Sequence, residues 1–390
     1  MISPSEKVRI LPKQEFSAIF DKINQMKNMG LDVINLSQGN PDMPTPPHIV
    51  EEIKQAVGVS TFHRYPPFRG YSFLKTAICD FYKKEYDVEV DPEKEIAIFN
   101  GGKTAIYVIC QAFLNENDVV LTPNPGYPEY IPDILMSNAI PYHFNLDVQN
   151  NYLPTYSSFD AAEVAKAMFL NYPNNPTGAT ANTQFFNETV NFAEKNNVGI
   201  IHDFAYAAFG FNGHKPVSFL QSKNAKKVGI ELYTLSKTYN MAGWRIAFAV
   251  GNEQMIQAIH SFQDHVFVSV FGGVQKAAAA ALQGDQTCVS SLNQLYETRA
   301  SYFVKECKKR LGWNIEKPKG TFYVWAPVPH GYDSISFTSH LLEKAHVAVT
   351  PGAIFGDKGN PFIRISMVAD IKRLEQFIER LEKLDLRFEL

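Results

Sequence analysis

Phe16, Ile19, Phe20, Ile23 and Met26 recur at intervals of three and four, which predicts an amphipathic helix with Gly30 as its natural C-cap. A short apolar run, Val33-Ile34-Asn35-Leu36, then enters a proline-rich bend from Pro41 to Pro47. Phe73, Leu74, Ile78, Phe81 and Tyr82 predict a second helix, capped by Ser72 and running to about Tyr86.

From there the pattern changes to alternation. Short apolar runs predict strands at Ile96–Phe99, Val119–Leu121, Ala167–Leu170, Val198–Ile201, Glu231–Leu235 and Ile246–Val250, and helical periods such as Thr104–Leu114 and Thr183–Lys195 separate most of them. This order predicts an α/β fold, a mainly parallel doubly wound sheet with helices on both faces. Beyond Asn252 come two long helical stretches, about Glu253–Leu282 and Ser290–Arg310. Strands at Phe322–Trp325 and Phe362–Ile365 then mix with helices at Ser336–Ala345 and Asp370–Leu384, which predicts a smaller α+β domain after a boundary near Gly284.

Composition narrows the class. The 390 residues carry 37 Lys and Arg against 40 Asp and Glu, a net charge of −3. That balance argues against nucleic-acid binding and against polybasic membrane binding. With 45% hydrophobic and 20% charged residues, the chain reads as a globular protein. The four cysteines form no C-x-x-C, so they read as thiols in a reducing compartment rather than a disulfide frame or zinc site, and no metal site is expected. The first residues lack the apolar core of a signal peptide, and the run Val266–Leu282 is broken by Gln275 and Lys276, so a cytoplasmic protein is expected. Aromatics are unusually frequent at 13%, with 29 Phe and 18 Tyr.

Four motifs carry chemistry. Gly101-Gly102-Lys103-Thr104 follows a strand and opens a helix; it fails as a Walker A loop because Ala97 stands where the first glycine belongs. Either a tight turn or a helix N-terminus that holds a phosphate fits it. Asn171-Tyr172-Pro173-Asn174-Asn175-Pro176-Thr177-Gly178 lies beyond the carboxyl end of a strand, where open α/β sheets bind ligands. His202-Asp203-Phe204-Ala205-Tyr206 ends the next strand; its Asp could equally be a cap or a solvated group. Ser236-Lys237, with Arg245 eight positions on, lies between two buried-looking strands. A desolvated lysine there loses proton affinity and becomes a nucleophilic amine.

Taken in order with Pro125-Gly126-Tyr127 and Arg364 in Ile363-Arg364-Ile365-Ser366, these motifs resemble the class I/II aminotransferases of fold type I, which use pyridoxal 5′-phosphate. The resemblance covers the chain from Asn35 to beyond Arg364. It implies that Lys237 holds the cofactor aldehyde and moves the substrate Cα proton, that Asp203 partners the pyridine nitrogen, and that Asn175 and Tyr206 bond the ring oxygen. Tyr127 would stack on the ring. Gly101, Gly102, Lys103, Thr234, Ser236 and Arg245 would hold the phosphate, joined by Tyr65 from a neighbouring subunit in a homodimer. Gly39, Asn175 and Arg364 would take the substrate carboxylate. The family's architecture implies an N-terminal segment 1–45 joined to a small domain 285–390, with a large cofactor-binding domain at 46–284.

The resemblance also implies a ping-pong exchange between an L-amino acid and a 2-oxo acid. Gln111 stands where a second basic group for dicarboxylic substrates is first sought. The aromatics Phe16, Phe20, Phe68, Tyr71, Phe267 and Phe271 suggest an apolar or sulfur-containing side chain, 4-methylthio-2-oxobutanoate in the methionine-salvage subgroup. Aspartate, N-acetyl-diaminopimelate and aromatic aminotransferases stay open, as does a carbon–sulfur β-lyase. A regulator of this fold would need a DNA-binding domain, for which the segment before Asn35 is expected to leave no room.

Overall fold

The computed structural model describes residues 2–12, 15–159, 164–267, 269–384, 386 and 388. Among them run strands β1 (Ile34–Asn35), β2 (Ile96–Phe99), β3 (Val119–Asn124), β4 (Ile140–Asn145), β5 (Ala165–Asn171) and β6 (Gly199–Asp203). They are followed by β7 (Gly229–Thr234), β8 (Ala247–Gly251), β9 (Tyr323–Pro327), β10 (Val347–Ala348), β11 (Thr350–Pro351) and β12 (Phe362–Ser366).

Seven strands form one sheet in the order β2-β8-β7-β6-β5-β3-β4. Neighbours from β4 through β7 pair in parallel, whereas β8 is antiparallel to both β7 and β2. Alternate residues face opposite sides of the sheet. Ile98, Met168, Leu170, Ile200 and Phe248 pack with the helices Ser72–Tyr86 and Thr183–Asn196 on one side. Phe99, Ala167, Phe169, Ile201 and Ala249 pack with Gly102–Phe113 and Glu253–Val266 on the other. Burial of each large side chain contributes about 1.5–3 kcal/mol before entropy is counted.

The N- and C-terminal segments build a second layer. The antiparallel sheet β11-β12-β9 and the parallel pair β1-β10 share one core with the helices Thr287–Leu311, Ser334–Ala345 and Ile371–Glu382. Arg373 and Arg380 of the last helix both clasp Asp32, which lies just before β1.

Several expectations need correction. Ser72 is the first helical residue, and Tyr71 takes the cap position without a side-chain bond. The stretch from Glu253 is two helices, Glu253–Val266 and Gly272–Gln283, because Phe267 turns to extended backbone. Leu235 leaves β7 and starts the helical turn Leu235–Thr238. Strand β4 was not expected, since most of its residues are exposed or half-buried and it offers no unbroken apolar run. Cys110 and Cys307 are buried, but Cys79 and Cys288 are only half-buried.

Candidate active site

The parallel strands deliver their functional groups to one end of the sheet, beyond their carboxyl ends, as open α/β sheets do. β2 leads into Gly101, β3 into Tyr127, β5 into the Asn171–Gly178 loop, β6 ends on Asp203, and β7 leads to Lys237. The reversed strand β8 starts at this end, which is why Arg245 arrives here just before it. A cavity of about 710 Å³ opens between these ends and the small sheet.

Lys237 sits on the turn Leu235–Thr238, whose N-cap Thr234 accepts from the Ser236 N–H through its hydroxyl. Its amine donates to the Gly39 carbonyl at 2.5 Å. Burial, then the nearby Arg364 and Arg245 charges, push this amine down to about 8, against a smaller upward pull from Asp203. Asp203 accepts from the Tyr130 hydroxyl at 2.8 Å and from the Ala205 N–H at 3.1 Å. Burial raises its carboxyl above the ordinary range, and those two hydrogen bonds oppose the rise.

The loop after β5 is held from within. Asn171 accepts from the Asn175 N–H and donates to the Asp203 carbonyl, both at 2.8 Å, while Asn174 accepts from the Thr177 hydroxyl at 2.7 Å. Asn175 is thereby presented to Arg364, whose Nη1 donates to it at 2.9 Å. Arg364 also donates to the Ser37 carbonyl at 3.0 Å, and its guanidinium lies 4.2 Å from the Tyr323 ring centre. Tyr206 and Tyr323 share a hydroxyl–hydroxyl bond at 3.0 Å.

At the other end of the cavity, Gly101 has φ +92°, and a Cβ built there would stand 2.3 Å from Arg245 Nη2. Only glycine lets the guanidinium lie against the start of the helix Gly102–Phe113. Arg245 is itself left-handed, at φ +54°, and donates to the Ala242 carbonyl. Lys103 pairs with Glu129 at 2.7 Å.

The donor set fits pyridoxal phosphate: an amine for its aldehyde, a buried carboxylate for its ring nitrogen, and a helix N-terminus, two hydroxyls and an arginine for its phosphate. The match reaches beyond geometry, for residues 31–381 fit the family model for aminotransferase class I and II. The chain belongs to that family. It is 54% identical over 390 residues to Bacillus subtilis transaminase BacF, covering 99% of this chain and 98% of the relative. It is 49% identical over 384 residues to the B. subtilis L-glutamine–4-(methylsulfanyl)-2-oxobutanoate aminotransferase, covering 98% and 96% of the two chains. The apo-BacF structure from B. subtilis superposes with a TM-score of 0.97 at 53% identity, over 100% of both chains. This aminotransferase is therefore a pyridoxal-phosphate-dependent enzyme of fold type I.

Of the residues predicted from sequence, Gly39, Gly102, Lys103, Tyr127, Asn175, Asp203, Tyr206, Thr234, Ser236, Lys237, Arg245 and Arg364 line this one cavity. Gly101 is not among the lining residues but lies against Arg245, which is. Tyr65 does not line it and is 89% exposed. Among the aromatics suggested for the entrance, Phe20 lines the cavity, but Phe68, Tyr71, Phe267 and Phe271 do not. Tyr71 instead packs on Phe62 and Phe73. The side chain of Phe16 lies outside the described residues. Gln111 points elsewhere and donates to the Ser137 hydroxyl. Sequence reasoning missed Tyr130, Tyr323 and Ser37. None of the three carried a local signal, because each acts through a partner far along the chain.

Proposed function

We propose that this aminotransferase exchanges the amino group of an L-amino acid with a 2-oxo acid whose side chain is uncharged, apolar or sulfur-containing. The observation that carries this reading is the disposition of positive charge. Four cationic side chains line the cavity among the described residues: Lys103, Lys237, Arg245 and Arg364. Arg245 faces the helix N-terminus that suits a phosphate, Arg364 offers a planar fork for the substrate α-carboxylate, and Lys103 is paired with Glu129. That leaves no cation for a second, side-chain carboxylate. The relative that acts on 4-(methylsulfanyl)-2-oxobutanoate makes that acid the first substrate to test.

Bound pyridoxal phosphate supplies the electron sink for the carbanion that proton loss from Cα creates. The residues of this chain supply the rest. Asp203, fixed by Tyr130, would hold the proton on the ring nitrogen; Asn175 and Tyr206 would bond the ring oxygen; Tyr127 would cover the ring face. Arg364, braced by Asn175 and Ser37, orients the carboxylate so that the Cα hydrogen faces Lys237. The amine of Lys237 takes that proton as general base and holds it for return as general acid. The two half-reactions share one site, so the kinetics are ping-pong.

Tyr65, exposed beside Phe68, reaches the phosphate of a second copy in a homodimer. Among the described residues no helix is long and apolar enough to cross a membrane. Residues 46–284 form the cofactor-binding domain, and 1–45 with 285–390 the small one. The test is a panel of amino donors against 2-oxo acids, read as the spectral change of the bound cofactor. The reading expects turnover with methionine or aromatic donors at least about tenfold above aspartate, the discrimination one unmatched charge imposes. Preference for aspartate, or pyruvate released without any acceptor, would overturn it.

A further inference from the structure

The strand that carries Asp203 also carries His202, which faces the opposite side of the sheet because successive strand residues alternate. His202 is fully buried, among the rings of Phe186, Phe204 and Phe219. Beside it in register on β7 stands Glu231, equally buried. Glu231 Oε1 accepts from the Tyr82 hydroxyl at 2.9 Å and the Ser218 hydroxyl at 2.7 Å. Its Oε2 accepts from the Phe219 N–H at 2.8 Å and lies 2.8 Å from His202 Nδ1. The other ring nitrogen, Nε2, lies 3.1 Å from the carbonyl oxygen of Tyr172, an atom that can only accept.

Nε2 therefore carries a hydrogen, and one further proton is shared between Nδ1 and Oε2. Three other donors converge on Glu231 and stabilise its ionised form, which places the shared proton on the ring. The two ends of this imidazolium reach two parts of the site. Along the chain it adjoins Asp203. Through the Tyr172 carbonyl it ties down the loop whose Asn175 meets Arg364.

We propose that His202, held charged by Glu231, is a positioning residue for amino transfer: it fixes the loop that presents Asn175 and adds positive potential beside Asp203. The proposal rests on the roles given above to Asp203 and Asn175. The titratable groups facing the pair are Tyr82 and Tyr86 from the helix below, Tyr233 on β7, Tyr172, and Asp203 with Lys237 at the strand end. The four tyrosines are buried, and their hydroxyls stay neutral across the working range of pH.

Two variants of the holoenzyme separate the two roles. His202→Gln keeps a donor for the Tyr172 carbonyl and removes the positive charge. The midpoint of its absorbance titration should rise by about half to one pH unit, because a cation near Asp203 and Lys237 is gone. His202→Leu also removes the tether, and KM for the amino donor should rise about fivefold or more as Asn175 slackens behind Arg364. Both variants folded and cofactor-loaded, with midpoint and KM unchanged, would overturn the proposal. Asp203→Asn, run alongside, distinguishes the two levels: an unchanged titration there means the reading of Asp203 has failed, whereas a change there with none in the His202 variants sinks only the role of His202. Should the variants not fold, nitrogen-15 resonances of the wild-type histidines decide. One ring carrying hydrogens on both nitrogens, each of them hydrogen-bonded, is expected, and its absence would refute the charge assignment.

Discussion

At the residue scale the site turns on how burial resets two ionisable groups in opposite senses. Lys237 is pushed down to about 8, so its neutral amine becomes the major form as pH rises through that value rather than near 10.5. Reloading the cofactor-free protein with pyridoxal phosphate should accelerate through about pH 8 and level off above it. A rate still climbing steeply at pH 10 would contradict the lowered amine. Lys237→Ala should abolish both turnover and the visible absorption of the lysine-bound cofactor. Arg364 makes a different kind of contribution, since its fork is already oriented by Asn175 and Ser37. Arg364→Lys keeps the charge but not the two-point geometry, so KM for the amino donor should rise by about 10–100-fold, equivalent to roughly 1.4–2.7 kcal/mol, with a smaller change in kcat. A steady-state comparison of KM with kcat checks this.

At the element scale, the junction of β2 with the helix Gly102–Phe113 concentrates the constraints on the phosphate end. Gly101→Ala must place a methyl group within 2.3 Å of the Arg245 guanidinium at a positive φ. Strain of about 1–3 kcal/mol is expected there, released by displacing Arg245. The variant should bind cofactor at least about tenfold more weakly while its melting temperature in the cofactor-free form falls by only a few degrees. Equilibrium dialysis with thermal melts separates the two effects. Sequence legibility followed the same lines. Strands such as Ile96–Phe99 could be read because both faces are buried and the apolar run is unbroken, and glycine at position 101 announced itself at a helix start. β4 could not be read, because its apolar residues alternate with polar or exposed ones and offer no such run. Tyr130 and Tyr323 were illegible for another reason: their bonds to Asp203 and Tyr206 span 73 and 117 positions. No local pattern encodes a contact of that range, and each tyrosine alone reads as core packing.

At the scale of the whole molecule, the aromatic side chains of Tyr65 and Phe68 are exposed and lie outside the cavity lining. The homodimer proposed above would account for both. Sedimentation should give a dimer near 88 kDa, twice the 43.9 kDa chain. Tyr65→Phe should weaken cofactor affinity several-fold without dissociating the dimer, since one hydroxyl contact to a phosphate is worth about 1 kcal/mol. A monomer with full cofactor affinity would remove the basis for any contribution from a second copy.

The pairing of β1 with β10 has a consequence for how the enzyme comes into being. The carbonyls of Ser37 and Gln38, which face Arg364 and Ser366, are set by a strand whose partner is Val347–Ala348. The large sheet is complete once Gly251 has been made, roughly a hundred residues earlier. At about 5–20 residues per second of synthesis, a nascent chain has its lysine, aspartate and phosphate cradle in place for several seconds before it can grip a substrate carboxylate. On that order of synthesis, the emerging polypeptide should take up cofactor before it can hold an amino acid, which cofactor binding to chains truncated before β10 would check.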